Sequence, residues 1–449
     1  MTRPSEHSED QVAPARRAAF EVLRRTFEHE AWADRAFRSA ATRHDLDGPA
    51  RAFAQRLAYG AVQRRGTTDH VAAILARRPV DELDPPLRAA LRLGLYELLL
   101  TSDPAEHAAV GEAVELAKGG MKGRARSRAA GGLVNAVLRR ATREGAELVG
   151  SLGDATPEAA AIAHSYPVWL ARLWWEELGR DVARSLMVAM NEAPERALRV
   201  NTLRAEADAG VGGDPLALPE TMVPRGRWTE GLRARIDAGE LVPQSRASQA
   251  VVALLDPRPG ESVLDLCAGP GIKSTHIAAR MEDRGEVRSI ELDERRAEEV
   301  AGLAERLGAG CIRPEAGDAM VADLGAGYDR VLVDPPCTDL GTLASRPDAR
   351  WRKGPEAPER LAAIQETILG RGAAAIRPGG TLVYSTCTVA RRENERVVLT
   401  ALAGDDALTA DDLGADYPAL ASPHDSRFLQ TRPDRDRTDG FFIARLRRM

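Results

Sequence analysis

At 449 residues, 44% hydrophobic and 29% charged, the chain has the length for two or three domains, each able to bury its own core. No run of about 18 apolar residues occurs, so no membrane span is expected, and the polar, acidic stretch 1–14 lacks the apolar core of a signal peptide. The net charge of −5 argues only weakly against a nucleic-acid partner, because it divides into +4 over residues 1–150 (24 Lys and Arg against 20 Asp and Glu) and −9 over the remainder.

In chain order, residues 1–148 read as a small helical bundle. Ala15, Ala19, Leu23 and Phe27 recur every four positions, and Leu87, Leu91, Leu95 and Leu99 do the same behind Pro85-Pro86, where a helix start tolerates proline. Asp103-Pro104 separates that helix from the next, 105–118, and 132–138 forms a further apolar helical stripe. Lys118, Lys122, Arg124, Arg126, Arg128, Arg139, Arg140 and Arg143 follow one another with no acidic residue between them. Such a run is either a phosphate-contacting patch or a solvated helix face.

Gly150-Ser151-Leu152-Gly153-Asp154 reads as a linker into a small intermediate domain over 149–240. Within it, 165–186 has a helical pattern with Trp169 to Trp175 on a mostly apolar face. Leu198-Arg199-Val200-Asn201 looks like a short strand, and the Gly/Pro/Ala-rich 207–219 like a loop. From 241 to 449 strands and helices alternate: strands at 262–265, 287–290, 330–333 and 381–384, helices from 273, over 294–307 and over 359–376. That alternation predicts an α/β domain with a mostly parallel, doubly wound sheet. The acidic 403–416 reads as a loop-like surface excursion.

Three features place a ligand at the strand ends. Cys267-Ala268-Gly269-Pro270-Gly271 follows the first strand as a tight turn, which lets backbone approach a ligand at a helix amino terminus. Glu291 ends the second strand, where nucleoside cofactors have their ribose hydroxyls bound, and Asp318, in Gly317-Asp318-Ala319, ends a further strand before 330–333, within reach of an adenine amino group. Neither G-x-G-x-x-G nor a Walker lysine is present, so S-adenosyl-L-methionine, which carries no phosphate, suits the arrangement better than a nucleotide.

Two of the four cysteines then stand just past apolar runs, in Asp334-Pro335-Pro336-Cys337-Thr338 and Ser385-Thr386-Cys387-Thr388. A free cysteine is most often a small buried hydrophobe. At a strand's carboxyl end it faces the ligand crevice, where a thiol can act as a covalent nucleophile. The four cysteines lack metal-ligand spacing, the histidines are scattered, and free thiols in a reducing cytoplasm are expected.

The turn 265–273, the Asp334-Pro335-Pro336-Cys337 and Ser385-Thr386-Cys387 motifs, Gln244/Ser248/Gln249 and the closing Asp439-Gly440-Phe441-Phe442 together resemble the RNA 5-methylcytosine methyltransferases. The amino-terminal part resembles a NusB-type RNA-binding domain through Leu91-Arg92-Leu93-Gly94-Leu95-Tyr96-Glu97-Leu98, Ala113-Val114-Glu115-Leu116-Ala117-Lys118 and Val134-Asn135-Ala136-Val137-Leu138-Arg139. That domain order is similar to the RsmB (Sun/Fmu) subgroup. The resemblance implies a Rossmann-like methyltransferase domain behind an all-α NusB-like bundle, S-adenosyl-L-methionine as cofactor, and a cytosine of 16S ribosomal RNA as substrate. A monomer is expected.

By the same resemblance, Cys387 is the nucleophile at carbon 6, Cys337 assists elimination, and Asp334 bonds the cytosine N3/N4 edge. Lys273 serves the cofactor carboxylate or the base carbonyl, and residues 267–271 with Lys273, Glu291, Asp318 and Asp334 form the cofactor cradle. Cys267 and Cys311 are packing residues, Cys267 meeting the cofactor through its backbone alone. Phe441-Phe442 either lines the pocket or packs in the core. Two departures stand out: Ile272 where the family has glycine, and Thr338-Asp339 where it has Ser-Gly. Competing readings are an amino-group methyltransferase, which follows D/N-P-P with an aromatic residue and needs no thiol, a 5-methylcytosine enzyme for another RNA such as tRNA, and a non-catalytic RNA-binding factor.

Overall fold

Pro14, Pro85 and Pro157 each open a helix, since proline at the first turn loses no intrahelical bond. In this computed structural model, which describes residues 12–207, 216, 218–224, 226 and 229–449, the chain folds into two compact units. One comprises Met1–Asn191 with Leu343–Lys353, the other Glu192–Thr342 with Gly354–Met449. Most of the polar stretch 1–14, and most of the loop expected at 207–219, lie outside the described residues.

The first unit is helical: α1 (Pro14–Glu28), α2 (Ala33–Arg43), α3 (Gly48–Gln63), α4 (Arg65–Ala76), α5 (Pro85–Leu100), α6 (Glu106–Gly119), α7 (Arg124–Gly150), α8 (Pro157–His164), α9 (Val168–Leu178) and α10 (Arg180–Ala189). Its core is rich in alanine, with Ala18, Ala19, Ala36, Ala40, Ala54, Ala58 and Ala61 sealed beside Leu23, Leu57, Leu91 and Leu95. Buried charges are paired: Arg16 reaches Glu97 (2.5 Å) and Glu112 (2.8 Å), and Arg92 reaches Asp69 (2.7 Å). An unpaired charge would cost far more at such sites.

The expected single helix over 165–186 is two, α9 and α10, because Gly179 (φ 79°) takes a positive-φ backbone that ends the first of them, while Ser165 (φ 65°) ends α8 just before it. The boundary between units falls after Asn191, inside the stretch 149–240 expected to form a separate domain. Helices α8–α10 group with the bundle: the Ser165 hydroxyl accepts from Gly66 N (2.7 Å), and Thr67 donates to the Ile162 carbonyl (2.7 Å). The Leu343–Lys353 segment, with its short helix α15 (Ala349–Arg352), belongs to the same unit. There Trp351 donates to the Val62 carbonyl (2.8 Å), and fully buried Arg350 lies over the Tyr166 ring (4.1 Å) and donates to the Ser165 carbonyl (3.1 Å).

The second unit opens with a small antiparallel sheet, order β2-β1-β3, of β1 (Leu198–Val200), β2 (Thr221–Met222) and β3 (Leu241–Pro243), with α11 (Glu230–Asp237) between the last two strands in sequence. Then come α12 (Arg246–Leu255), β4 (Ser262–Leu266), α13 (Ile272–Arg280), β5 (Glu286–Glu291), α14 (Glu294–Leu307), β6 (Ile312–Ala316), β7 (Tyr328–Val333), α16 (Ala357–Ala375), β8 (Ile376–Thr386), α17 (Glu395–Gly404), β9 (Leu408–Ala410), β10 (Leu429–Gln430) and β11 (Phe442–Arg448). The larger sheet runs β10-β11-β8-β7-β4-β5-β6, parallel from β8 to β6 and antiparallel at β11.

Its central strands are apolar on both faces, as a parallel sheet covered by helices requires: Val263, Leu264, Val331, Leu332, Val333, Leu382 and Val383 are fully buried. The order reverses between β4 and β7, so the crevice opens at their carboxyl ends. The acidic stretch 403–416 is not a loop excursion: β9 pairs with β11, and Leu408 and Leu413 are buried. Two of its acids are held by that strand's arginines, Asp405 by Arg448 (3.0 Å) and Asp411 by Arg447 (3.0 Å).

Candidate functional site

The turn after β4 brings the first group of expected residues together. Cys267 takes a left-handed backbone (φ 67°), as does Gly271 (φ 95°), where an added Cβ would meet Val300 Cα at 3.2 Å. Gly269 N donates to Glu291 Oε2 (2.8 Å), and a Cβ on Gly269 would overlap that carboxylate. The turn and the end of β5 are thus one structure, closed by a charge-assisted bond. Asp318, two residues past β6, ends its own tight turn by accepting from Met320 N (2.9 Å). Ile272 is the first residue of α13, directly after Gly271.

At the neighbouring strand end Asp334 is the hub. Its Oδ2 accepts from Lys273 Nζ (2.6 Å) and its Oδ1 from Ser385 Oγ (2.8 Å), joining the ends of β7 and β8 to the start of α13. Burial pulls the Lys273 ammonium down and Asp334 outweighs it, so its pKa is raised and it stays charged. Lys273 Nζ also lies 5.1 Å from the Phe441 ring centre, whereas Phe442 packs in the core against Tyr384 and Phe428.

Beyond Asp334 the two cysteines meet. Cys337 Sγ and Cys387 Sγ are 3.2 Å apart, Cys337 buried and Cys387 half-buried. Cys387 Sγ donates to Asp339 Oδ1 (3.2 Å). The other two thiols are unlike them. Burial, and then the carboxylates of Asp334 and Glu291, push Cys267 well above its ordinary value; burial and Asp283 push Cys311 up to about 12. Both stay protonated, as packing residues should.

Several site residues were not expected from sequence. Glu393, fully buried, accepts from Thr338 N (2.8 Å) and Gln365 Nε2 (3.0 Å) and bonds the Thr338 hydroxyl, fixing the loop that carries Cys337. Burial lifts its carboxyl to about 7 against these hydrogen bonds. Gly341 N donates to the Cys387 carbonyl (2.9 Å) and its own carbonyl accepts from Gly440 N (2.8 Å); a Cβ there would overlap Gly440.

Asp265, inside β4, is bonded by Ser274 Oγ (2.6 Å) at Oδ2, while its buried Oδ1 has no hydrogen-bond partner among the described residues. Burial raises it to about 7. An acid within the apolar run Val263-Leu264-Asp265-Leu266 was the visible signal for this one.

Gln244, Ser248 and Gln249, noted in the sequence, do not reach the crevice residues above. Gln244 accepts from Arg199 Nε (2.8 Å), Gln249 from Thr221 (2.7 Å), and Arg199 donates to Thr275 of α13 (3.2 Å), fastening the small sheet to the helix that begins at Ile272. In the helical unit, Lys122, Arg124, Arg126, Arg128, Arg139 and Arg143 are exposed, while Lys118 and Arg140 bond Glu115 (2.6 Å) and Glu144 (2.8 Å) one turn away.

Comparison with known proteins agrees with this architecture. Residues 252–447 match the 16S rRNA methyltransferase RsmB/F family and residues 13–143 the NusB family. The chain is 32% identical to the "Probable ribosomal RNA small subunit methyltransferase B" of Synechocystis sp., over 97% of this chain and 99% of that protein. It is 38% identical to the Ribosomal RNA small subunit methyltransferase B of Thermus thermophilus, over 89% of each. The solved structure of PH0851 superposes over the whole of both chains with TM-score 0.79 at 25% identity. No described helix is long and apolar enough to cross a membrane. A NusB-family bundle, a mostly parallel sheet with its crevice at β4 and β7, and full-length relatives place this chain in the RsmB/F family of rRNA methyltransferases.

Proposed function

We propose that the chain transfers a methyl group from S-adenosyl-L-methionine to carbon 5 of a cytosine in 16S ribosomal RNA, through a covalent cysteine adduct. The observation that carries this reading is the pair of thiols, 3.2 Å apart at the ends of adjacent parallel strands beside the Asp334–Lys273 pair. Methyl transfer to an exocyclic amino group needs no thiol, and a purely RNA-binding protein needs neither the thiols nor the acids at the strand ends.

The turn Cys267, Ala268, Gly269, Pro270 and Gly271 fits the cofactor: a Cβ on Gly269 would overlap Glu291 and one on Gly271 would press on Val300, and the orphaned Asp265 Oδ1 is a buried acceptor beside the turn. Glu291 and Asp318 would hold the ribose and adenine, and Lys273 the carboxylate. When bound, S-adenosyl-L-methionine supplies an electrophilic methyl group on a sulfonium.

The chain's own residues do the rest. The target base leaves its stack to enter the crevice. Cys387 loses its proton and adds to carbon 6, which makes carbon 5 nucleophilic. Asp334, oriented by Ser385 and Lys273, hydrogen-bonds the N3/N4 edge while charge builds on the ring. After methyl transfer Cys337 takes the proton from carbon 5, the carbon 6–sulfur bond breaks, and the aromatic ring is restored. The exposed basic run on α7 would contact RNA phosphates.

The test separates the thiols by order of action. Cys387→Ala is expected to abolish methylation and leave no adduct. Cys337→Ala is expected to allow addition and methyl transfer but stall release, accumulating an RNA–protein adduct that survives denaturing electrophoresis. If neither variant loses turnover, the thiol mechanism is wrong.

A further inference from the structure

The family motif places glycine after Cys-Ser; here the corresponding residue is Asp339, and it holds the backbone conformation (φ 60°) in which glycine is favoured. Aspartate tolerates that conformation better than most residues. The consequence is a carboxylate aimed at the thiols: Asp339 Oδ1 is 3.2 Å from Cys387 Sγ, and the three ligand atoms of Cys337, Asp339 and Cys387 lie within 4.8 Å of one another.

From this geometry we propose that Cys337, Cys387 and Asp339 form a binding site for a thiophilic divalent cation of the zinc class, and that the cation and the methylation substrate exclude one another. The exclusion rests on the function proposed above; the binding does not.

Tetrahedral zinc has bonds of about 2.3 Å to sulfur and about 2.0–2.2 Å to carboxylate oxygen, which separates two thiolates by roughly 3.7 Å and a thiolate from the oxygen by roughly 3.5 Å. The observed 3.2 Å for both pairs needs an opening of about half an ångström or less. Two thiolates and one carboxylate are a soft set that zinc prefers to magnesium or calcium, and the fourth position is left to water.

The supports are rigid. Thr338 N is held by Glu393 (2.8 Å), the Asp339 carbonyl accepts from Thr342 N (3.1 Å), and Gly341 N donates to the Cys387 carbonyl (2.9 Å). Such anchoring lowers the cost of bringing the ligands together. On binding, each thiol releases its proton to solvent as its bond to the metal forms, and the carboxylate displaces one water of the hydrated ion. Coordination draws electron density from the Cys387 sulfur and puts the cation in its path to carbon 6, and it leaves Cys337 too weak a base to take the carbon 5 proton, so occupancy halts turnover without any oxidation.

The probe is Co2+, titrated anaerobically into the full-length, reduced protein, with Zn2+ as competitor. The expected result is one equivalent bound with a thiolate-to-cobalt charge-transfer band in the near ultraviolet and the visible absorption of a tetrahedral ion, both erased by Zn2+. Asp339→Gly, the backbone-compatible change, should keep the band and weaken binding by about tenfold or more. Cys337→Ser and Cys387→Ser should each lose intensity. No band in the wild type, an unaltered band in either serine variant, or equal affinity in Asp339→Gly overturns the site. Zn2+ should stop methylation and a chelator restore it. Metal-free protein that never methylates RNA refutes the proposed function while the cobalt spectrum still stands.

Discussion

Glu393 offers the sharpest test of how the Cys337 loop is held. Its carboxyl is fully buried and lifted to about 7, from an ordinary value of 4.5. A carboxyl whose folded pKa lies above its unfolded one binds its proton more tightly in the native state. Its stabilising contribution is therefore complete below pH 4.5 and is lost as pH rises through 7. Between pH 5 and pH 8 the linkage amounts to about 2–3 kcal/mol at roughly 1.4 kcal/mol per unit.

Glutamine reproduces the neutral form: its oxygen can accept from Thr338 N and Gln365, and its amide can donate to the Thr338 hydroxyl. Glu393→Gln should match the wild type near pH 5 and exceed it by about 2 kcal/mol at pH 8. Urea unfolding of both proteins across that range measures this difference. Asp265, also lifted to about 7, titrates in both and cancels. A wild-type–variant difference that does not change with pH would refute the argument.

Other consequences are equally direct. Glu291→Ala should weaken S-adenosylmethionine binding about ten- to hundredfold by calorimetry, since hydrogen bonds to a charged group are worth about 1.5–3 kcal/mol, and an unchanged dissociation constant would remove Glu291 from the cradle. Neutralising Arg124, Arg126 and Arg128 together should weaken RNA binding and flatten its salt dependence by about 0.7–0.9 in slope per lost phosphate contact; equal slopes would make the run a solvated helix face. Asp334→Ala should cost more activity than Asp334→Asn, because alanine strands both Lys273 and Ser385, and equal losses would show that the carboxylate does not position them.

Much of the sheet was legible because its strands are short apolar runs that end in polar motifs, and the run Val331-Leu332-Val333 leads straight to Asp334. The meeting of Cys337 with Cys387 could be inferred only as two strand ends facing one crevice. Their 3.2 Å separation depends on β7 and β8 being neighbours, which no local pattern states. Glu393 was missed because its partners come from the loop after β7 and from α16, and a glutamate in Arg391-Arg392-Glu393-Asn394 reads locally as solvated. The edge strand β9 was missed for the opposite reason: the acids flanking Leu408 mask one buried residue, and the arginines that neutralise Asp411 and Asp405 lie 36 and 43 residues on. The break in the helix expected over 165–186 falls at Gly179, a signal that the apolar pattern on either side of it covered.

The return of Leu343–Lys353 to the helical unit has a consequence for biosynthesis. The 151 residues Glu192–Thr342 separate the two parts of that unit in sequence. At about 5–20 residues per second, a ribosome takes roughly 8–30 s to make them. During that interval the nascent bundle lacks Arg350 and Trp351, so the carbonyls of Val62 and Ser165 await their donors. A message truncated after codon 191 would leave the bundle permanently in that state. Pulse proteolysis of such a fragment, with and without a peptide spanning 343–353 supplied in trans, would reveal how far the helices settle before their last piece is translated.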